Sequence, residues 1–384
     1  MPGRMKPGWF GRLHTVRVTF VISSLSAGGA ERVMSMMANH MVEKGWAVTI
    51  VTLDIIESDF FPLDGRIARV SLGEYGPSSG IVSAVWSNCK RLFRLRSAIL
   101  GSTPDVVISF VDQVNVLTLL ATRFTLIPVV ISERTDPRQN RVARVWEWLR
   151  SWSYPHAAML VVQTDRIFEW AASKVGADKA IVIPNPIARG QARDPESEEF
   201  FPPPFVLAVG RLTREKGIDL LMQAFGKVCH QHPEWSLVIL GEGPERASLE
   251  DMARKLGIEA RVHMPGRHAN PGAVMSCASL FVLPSRFEGF PNALLEAMSC
   301  GLPVISFDCP SGPGEIIRHD VDGVLVPPED VDALGRAMLD LITHPEKRQR
   351  YASRAIEVAD RFSMERVMGV WEELLQKINE RDGR

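Results

Sequence analysis

A short apolar strand, a glycine-bearing loop and a helix recur along the chain, and this alternation limits its possible folds more than any other feature. The β-rich run 16–22 ends in a loop carrying Gly28-Gly29. A helical pattern follows through Val33, Met36, Met37 and Met41 to Gly45, and a second strand is expected over 47–53. Two strands joined through a helix form a βαβ unit, so the sheet is parallel and its crossovers right-handed. Further strands are expected at 68–72, 105–110, 128–133, 159–164 and 180–184. The polar, proline-rich segment 189–204 breaks the pattern, which restarts with strands at 205–209, 236–240, 261–264, 280–283, 303–307 and 323–326.

With 384 residues the chain exceeds one ordinary core and suits two α/β domains. The expected layout is a leader 1–15, a first domain 16–190, a linker 191–204, a second domain 205–362 and a final helix 363–384. That helix is amphipathic through Val367, Val370, Trp371, Leu374, Leu375 and Ile378. The net charge of −1 gives no electrostatic case for nucleic acid. Five widely spaced cysteines without a Cys-x-x-Cys pair read as reduced residues of a cytosolic protein. No apolar run approaches the ~20 residues that span a bilayer. The nine histidines show no metal-ligand spacing, and Asp320-Val321-Asp322, ahead of Gly323, reads as turn chemistry.

The densest chemistry lies in 284–298. An apolar strand end breaks at Pro284, crosses a Gly/Pro loop and enters a helix of strong formers, with Pro291 suited to its first turn. Such a loop aims unpaired amides and the positive end of the helix dipole at one point, where anions settle. Glu288 and Glu296 frame that point, although a glutamate near a helix start is also ordinary capping. A phosphate nest flanked by hydroxyl-accepting carboxylates suits a sugar nucleotide.

Other loops reach the same sheet edge. Gly210-Arg211 and Lys216-Gly217 follow the first strand of the second domain, where open α/β sheets bind ligands. Arg211 can fork onto phosphate oxygens and Lys216 can act as a point charge. Gly241-Glu242-Gly243 and Gly266-Arg267-His268 follow the next two strands and permit close backbone approach. In the first domain, Gly28-Gly29 allows similar approach at a helix start, or simply a tight turn. The stretch 138–154 carries Arg138, Arg141, Arg144 and Arg150 among Trp146, Trp148 and Trp152. It suits an anionic membrane surface or a lipid-phosphate pocket, or a solvated helix with inward tryptophans.

Gly28-Gly29-Ala30-Glu31-Arg32, Gly210-Arg211…Lys216-Gly217, Gly241-Glu242-Gly243, Glu288-Gly289-Phe290-Pro291-Asn292…Glu296 and Asp322-Gly323…Val326-Pro327 together resemble glycosyltransferase family 4, over nearly the whole chain. The resemblance implies a GT-B fold, two Rossmann-like doubly wound parallel-sheet domains facing across a cleft, with the last helix crossing back to the first domain. It implies a UDP-linked nucleotide-sugar donor, no metal or other cofactor, and retention of anomeric configuration. By that resemblance Arg211, Lys216 and Glu288 are the candidate catalytic residues: the two cations neutralise the diphosphate leaving group, and Glu288 binds hydroxyls of the transferred sugar. Gly28, Gly29, Gly241, Gly243, Arg267, Gly289, Phe290, Pro291, Asn292 and Glu296 complete the donor site, Glu296 taking the ribose hydroxyls. Many relatives place a histidine after the strand ending here at Phe110, where this chain has Val111-Asp112-Gln113. Asp112, Gln113, Glu133 and Arg134 are the acceptor-side candidates. Ser132-Glu133-Arg134-Thr135 and the Gly312-Pro313 loop look most like bacterial enzymes that extend lipid-linked oligosaccharides or surface polysaccharides. That implies a lipid-linked glycan acceptor and a peripheral, cytoplasmic location on the inner membrane face. A sugar-nucleotide epimerase on this architecture, or a non-catalytic sugar-nucleotide-binding partner, remains open at this point.

Overall fold

The structure, a computed structural model, describes residues 15–73, 81–139, 142–187, 204–268 and 270–382. All of the expected leader but its last residue, the linker up to 203, and Arg141 lie outside the described residues. The first domain carries β1 (Arg17–Ile22), β2 (Ala47–Thr52), β3 (Ala68–Ser71), β4 (Val106–Phe110), β5 (Val129–Ser132), β6 (Met159–Val162) and β7 (Ala180–Val182). Between them run α1 (Gly29–Glu43), α2 (Ile81–Gly101), α3 (Asp112–Ala121), α4 (Arg144–Ser153) and α5 (Asp165–Val175). The strands form one sheet in the order β3-β2-β1-β4-β5-β6-β7, and every pairing is parallel.

The second domain repeats the scheme with β8 (Phe205–Val209), β9 (Ser236–Leu240), β10 (Val262–Gly266), β11 (Leu280–Leu283), β12 (Val304–Phe307) and β13 (Val324–Val326). Its helices are α6 (Ile218–Val228), α7 (Arg246–Leu256), α8 (Pro271–Cys277), α9 (Asn292–Ser299), α10 (Pro313–Ile316), α11 (Val331–Thr343), α12 (Pro345–Ala355) and α13 (Val358–Arg361), followed by α14 (Met364–Asp382). The sheet order is β10-β9-β8-β11-β12-β13, again parallel throughout. Strands covered on both faces need apolar side chains at odd and even positions alike. In β1, Val18, Phe20 and Ile22 point into one core layer and Val21 into the other.

Strand order reverses between β1 and β4 in one sheet and between β8 and β11 in the other. At such switch points adjacent loops leave toward opposite faces, opening a crevice beyond the strand carboxyl ends. The loops after β1, β4, β8 and β11 are those bearing Gly28-Gly29, Val111-Asp112, Gly210–Gly217 and 284–291. The last helix, α14, buries Val367, Met368, Trp371, Leu374, Leu375 and Ile378 in the first-domain core that also holds Phe20 and Ile108. Each such side chain contributes roughly 1.5–3 kcal/mol of transfer free energy. Among the described residues no helix is long and apolar enough to cross a membrane.

Asp320-Val321-Asp322 behaves as a turn. Asp320 has φ +58°, and Asp322 is fully buried with its carboxylate on Arg318 at 2.6 Å.

Candidate functional site

The two domains meet along the switch-point loops. At the mouth of the second sheet Lys216 ends a short 3-10 turn, Arg214–Lys216, closed by Gly217 in a left-handed conformation. The turn delivers the Lys216 ammonium to Glu288 Oε1 at 2.7 Å, and the Ser285 hydroxyl donates to the same oxygen at 2.7 Å. The Glu288 side chain is buried, so burial and two donors hold this carboxylate in one place. Arg211, one loop position from the strand, is instead mostly exposed, 3.6 Å from Glu215. Its charge still reaches Glu31 of the first domain. Arg267 is exposed as well.

Gly241 and Gly243 permit the close backbone approach expected of them, here between two loops of the same domain. Gly241 takes φ +151°, and a Cβ there would lie 1.8 Å from the Gly210 carbonyl oxygen; one on Gly243 would meet the Leu212 carbonyl at 2.3 Å. Their missing side chains are explained by two loops clasping each other, with no ligand required. Phe290 is likewise a core residue, packed edge-on against Phe362 at 5.5 Å, so only its backbone faces the loop. Pro291 stands at the N-cap of α9 rather than inside the first turn.

Across the cleft, Gly28 caps α1 with no side-chain hydrogen bond, and the Glu31 carboxylate folds back to within 2.2 Å of where a Gly28 Cβ would sit. Burial pushes the Glu31 carboxyl up, with Arg211 and Arg134 pulling the other way. Helix α9 docks directly onto this end of α1. Asn292 Nδ2 donates to the Gly29 carbonyl at 3.0 Å, Asn185 Nδ2 donates to Asn292 Oδ1 at 2.7 Å, and Arg32 Nη1 meets Glu296 Oε1 at 2.8 Å. Farther along, Arg166 donates to the Pro310 carbonyl at 2.9 Å, and the Asp165 amide to Glu315 at 3.3 Å. Neither the charged partner of Glu296 nor the role of Asn185 was visible in the sequence, because each pairing joins residues from opposite domains.

The acceptor-side candidates divide. Asp112 accepts from Arg150 at 3.3 Å, while Glu133 is buried beside Arg150 at 3.7 Å and accepts from the Tyr154 hydroxyl. Burial pushes the Glu133 carboxyl up to about 7, against the pull of Arg150. Glu133 is thus a core carboxylate, held by Arg150 and Tyr154. Gln113 is exposed and, with Asp112, Val116, Val142, Trp146 and Arg150, lines a shallow surface depression. Arg134 stacks on the Phe110 ring at 3.8 Å, with its Nε and Nη2 shielded from solvent and unpartnered. Burial pushes its guanidinium down to about 9. Val111 at the switch point holds φ +77°, a strained conformation for a β-branched residue and of a kind that gathers at functional sites.

The expected arginine-tryptophan helix is also corrected. It begins only at Arg144, because Arg138 closes a turn on Asp136 at 2.8 Å. Arg150 points inward onto Asp112, Glu133 and Glu147. What α4 shows to solvent is Arg144, Val145, Trp148, Ser151 and Trp152.

Comparison with known proteins matches both halves. Residues 28–186 fit the family described as glycosyl transferase 4-like domain, and residues 191–358 fit glycosyl transferases group 1. The chain is a glycosyltransferase built of these two domains. The enzyme is 28% identical to a Campylobacter jejuni GalNAc-α-(1→4)-GalNAc-α-(1→3)-diNAcBac-PP-undecaprenol α-1,4-N-acetyl-D-galactosaminyltransferase, over 94% of this chain and 99% of that one. It is also 28% identical to the exopolysaccharide phosphotransferase SCO2592 of Streptomyces coelicolor, covering 94% of this chain but spanning only 41% of that protein. Among solved structures, Anabaena Alr3699/HepE in complex with UDP and glucose superposes with a TM-score of 0.78 at 19% identity, over 94% of this chain and 99% of the other. At that identity the likeness speaks for the fold.

Proposed function

We propose that this glycosyltransferase moves a hexose or N-acetylhexosamine from a UDP-linked donor to a lipid-linked oligosaccharide or polysaccharide, with retention of configuration and without a metal ion. The observation that carries the reading is that both carboxylates of the 284–298 segment are held by cations, Glu288 by Lys216 and Glu296 by Arg32 of the first domain, where that segment packs on the start of α1. There Lys216 and Arg211 neutralise the departing diphosphate, doing electrostatically what a divalent cation would do. Helix starts at α1 and α9 add amide donors. The Lys216 ammonium and Glu288 carboxylate are paired with each other; a diphosphate sharing the ammonium leaves a Glu288 oxygen to accept sugar hydroxyls. The UDP donor is supported by the HepE complex, and the acceptor class by the name of the Campylobacter relative.

Work at an anionic membrane on its cytoplasmic face belongs to the same proposal. The exposed Trp148, Trp152 and Arg144 of α4 supply amphipathic and cationic anchors. Transfer assays with a panel of nucleotide sugars and undecaprenyl-diphosphate oligosaccharides, run with and without chelator, test the reading. Product is expected from a UDP-sugar in either buffer, with the donor anomer retained by NMR. Transfer abolished by chelator, or inverted product, refutes the corresponding part.

A further inference from the structure

We propose that Arg32 is a positioning residue for donor binding, its guanidinium reaching from the first domain to fix the Glu296 carboxylate as an acceptor for the ribose hydroxyls. The inference rests on the ribose role proposed for Glu296. Two contacts set the geometry. Asn292 meets the Gly29 carbonyl at 3.0 Å, and one turn farther along both helices Glu296 meets Arg32 at 2.8 Å. Residues three or four apart share a helix face, so α1 and α9 are joined at two successive levels, and the carboxylate comes to rest where the domains meet.

The chemistry of the pair favours positioning over simple cross-linking. The Glu296 side chain is only 14% exposed. Burial pushes its carboxyl up, and Arg32 is the charge that opposes this among the described residues. An ionised carboxylate offers about four acceptor sites on two oxygens. Arg32 engages Oε1, which leaves Oε2 for a vicinal diol. Without the guanidinium the buried acid holds its proton more readily and loses the charge-assisted hydrogen bonds that grip hydroxyls. A plug that competes with ribose would have the opposite consequence, since its removal would tighten binding.

Calorimetry on the full chain with UDP and with pyrophosphate, which has no ribose, separates these cases. Arg32→Ala is expected to weaken UDP binding about tenfold at pH 7. Pyrophosphate affinity should stay at the wild-type value, which also reports an intact fold, and Arg32→Lys should recover part of the UDP affinity. Equal losses for both ligands, or tighter UDP binding, overturn the inference. If Glu296→Ala weakens UDP while Arg32→Ala does not, the positioning role fails alone. If Glu296→Ala leaves UDP affinity unchanged, the ribose role and the inference fail together.

Discussion

Lys216 and Glu288 sit at 2.7 Å with the ammonium partly shielded and the carboxylate nearly enclosed. Removing the cation takes a charge-assisted partner from the diphosphate and leaves Glu288 uncompensated. Lys216→Ala should therefore weaken UDP binding by about 2 kcal/mol, near thirtyfold; titration calorimetry showing wild-type affinity would remove Lys216 from the donor site. Glu133 makes a different kind of prediction. Its carboxyl is raised to about 7 by burial, so the folded chain binds this proton more tightly than the unfolded chain does. Its contribution to stability is complete below the ordinary carboxylate range and is lost as pH rises through about 7. Glu133→Gln keeps a neutral, hydrogen-bonding side chain at every pH. Its melting temperature relative to wild type should rise between pH 5 and pH 8, and a pH-independent difference would show that Glu133 does not titrate there.

At the scale of elements, α4 separates what patterning reveals from what packing decides. Strands such as Val106–Phe110 and Leu280–Leu283 were legible because runs buried on both faces are apolar throughout. The Lys216 and Glu288 loops were legible because they follow such strands at the edge where parallel sheets bind ligands. The orientation of Arg150 was not legible. Composition assigns an arginine to solvent, yet Asp112 at the start of α3 and Glu133 just past β5 draw it into the interior. Membrane attachment through α4 must then depend on its outer face. Trp148→Ser with Trp152→Ser should reduce flotation with anionic liposomes several-fold while leaving UDP affinity intact, since each tryptophan contributes interfacial burial. Arg150→Ala should instead lower the melting temperature, because it strands buried carboxylates. Unchanged flotation of the double variant would retire α4 as an anchor.

In the whole molecule, α14 ties the domains covalently and by packing, while the α1–α9 contacts set how closely the cleft shuts. Those contacts join residues far apart in sequence, such as Gly29 and Asn292, separated by 263 positions, and no local periodicity encodes such a pairing. Gly289 is the sharpest point of approach. A Cβ there would lie 2.4 Å from the Arg134 carbonyl oxygen and 2.9 Å from Thr135 Cα, both first-domain backbone. Backbone cannot swing aside as a flexible side chain does, so Gly289→Ala must hold the donor loop away from the acceptor domain. Each domain keeps its own core and Lys216 keeps its place, so UDP affinity should fall by no more than the roughly tenfold that goes with the Arg32–Glu296 contact. Transfer needs the donor sugar and the acceptor in register, and a displacement of about 1 Å can cost a hundredfold in rate. The expected variant still binds UDP, transfers about a hundredfold more slowly, and shows a larger radius of gyration by solution scattering. Wild-type turnover in Gly289→Ala would show that catalysis does not require the closed contact between the 284–291 loop and Arg134.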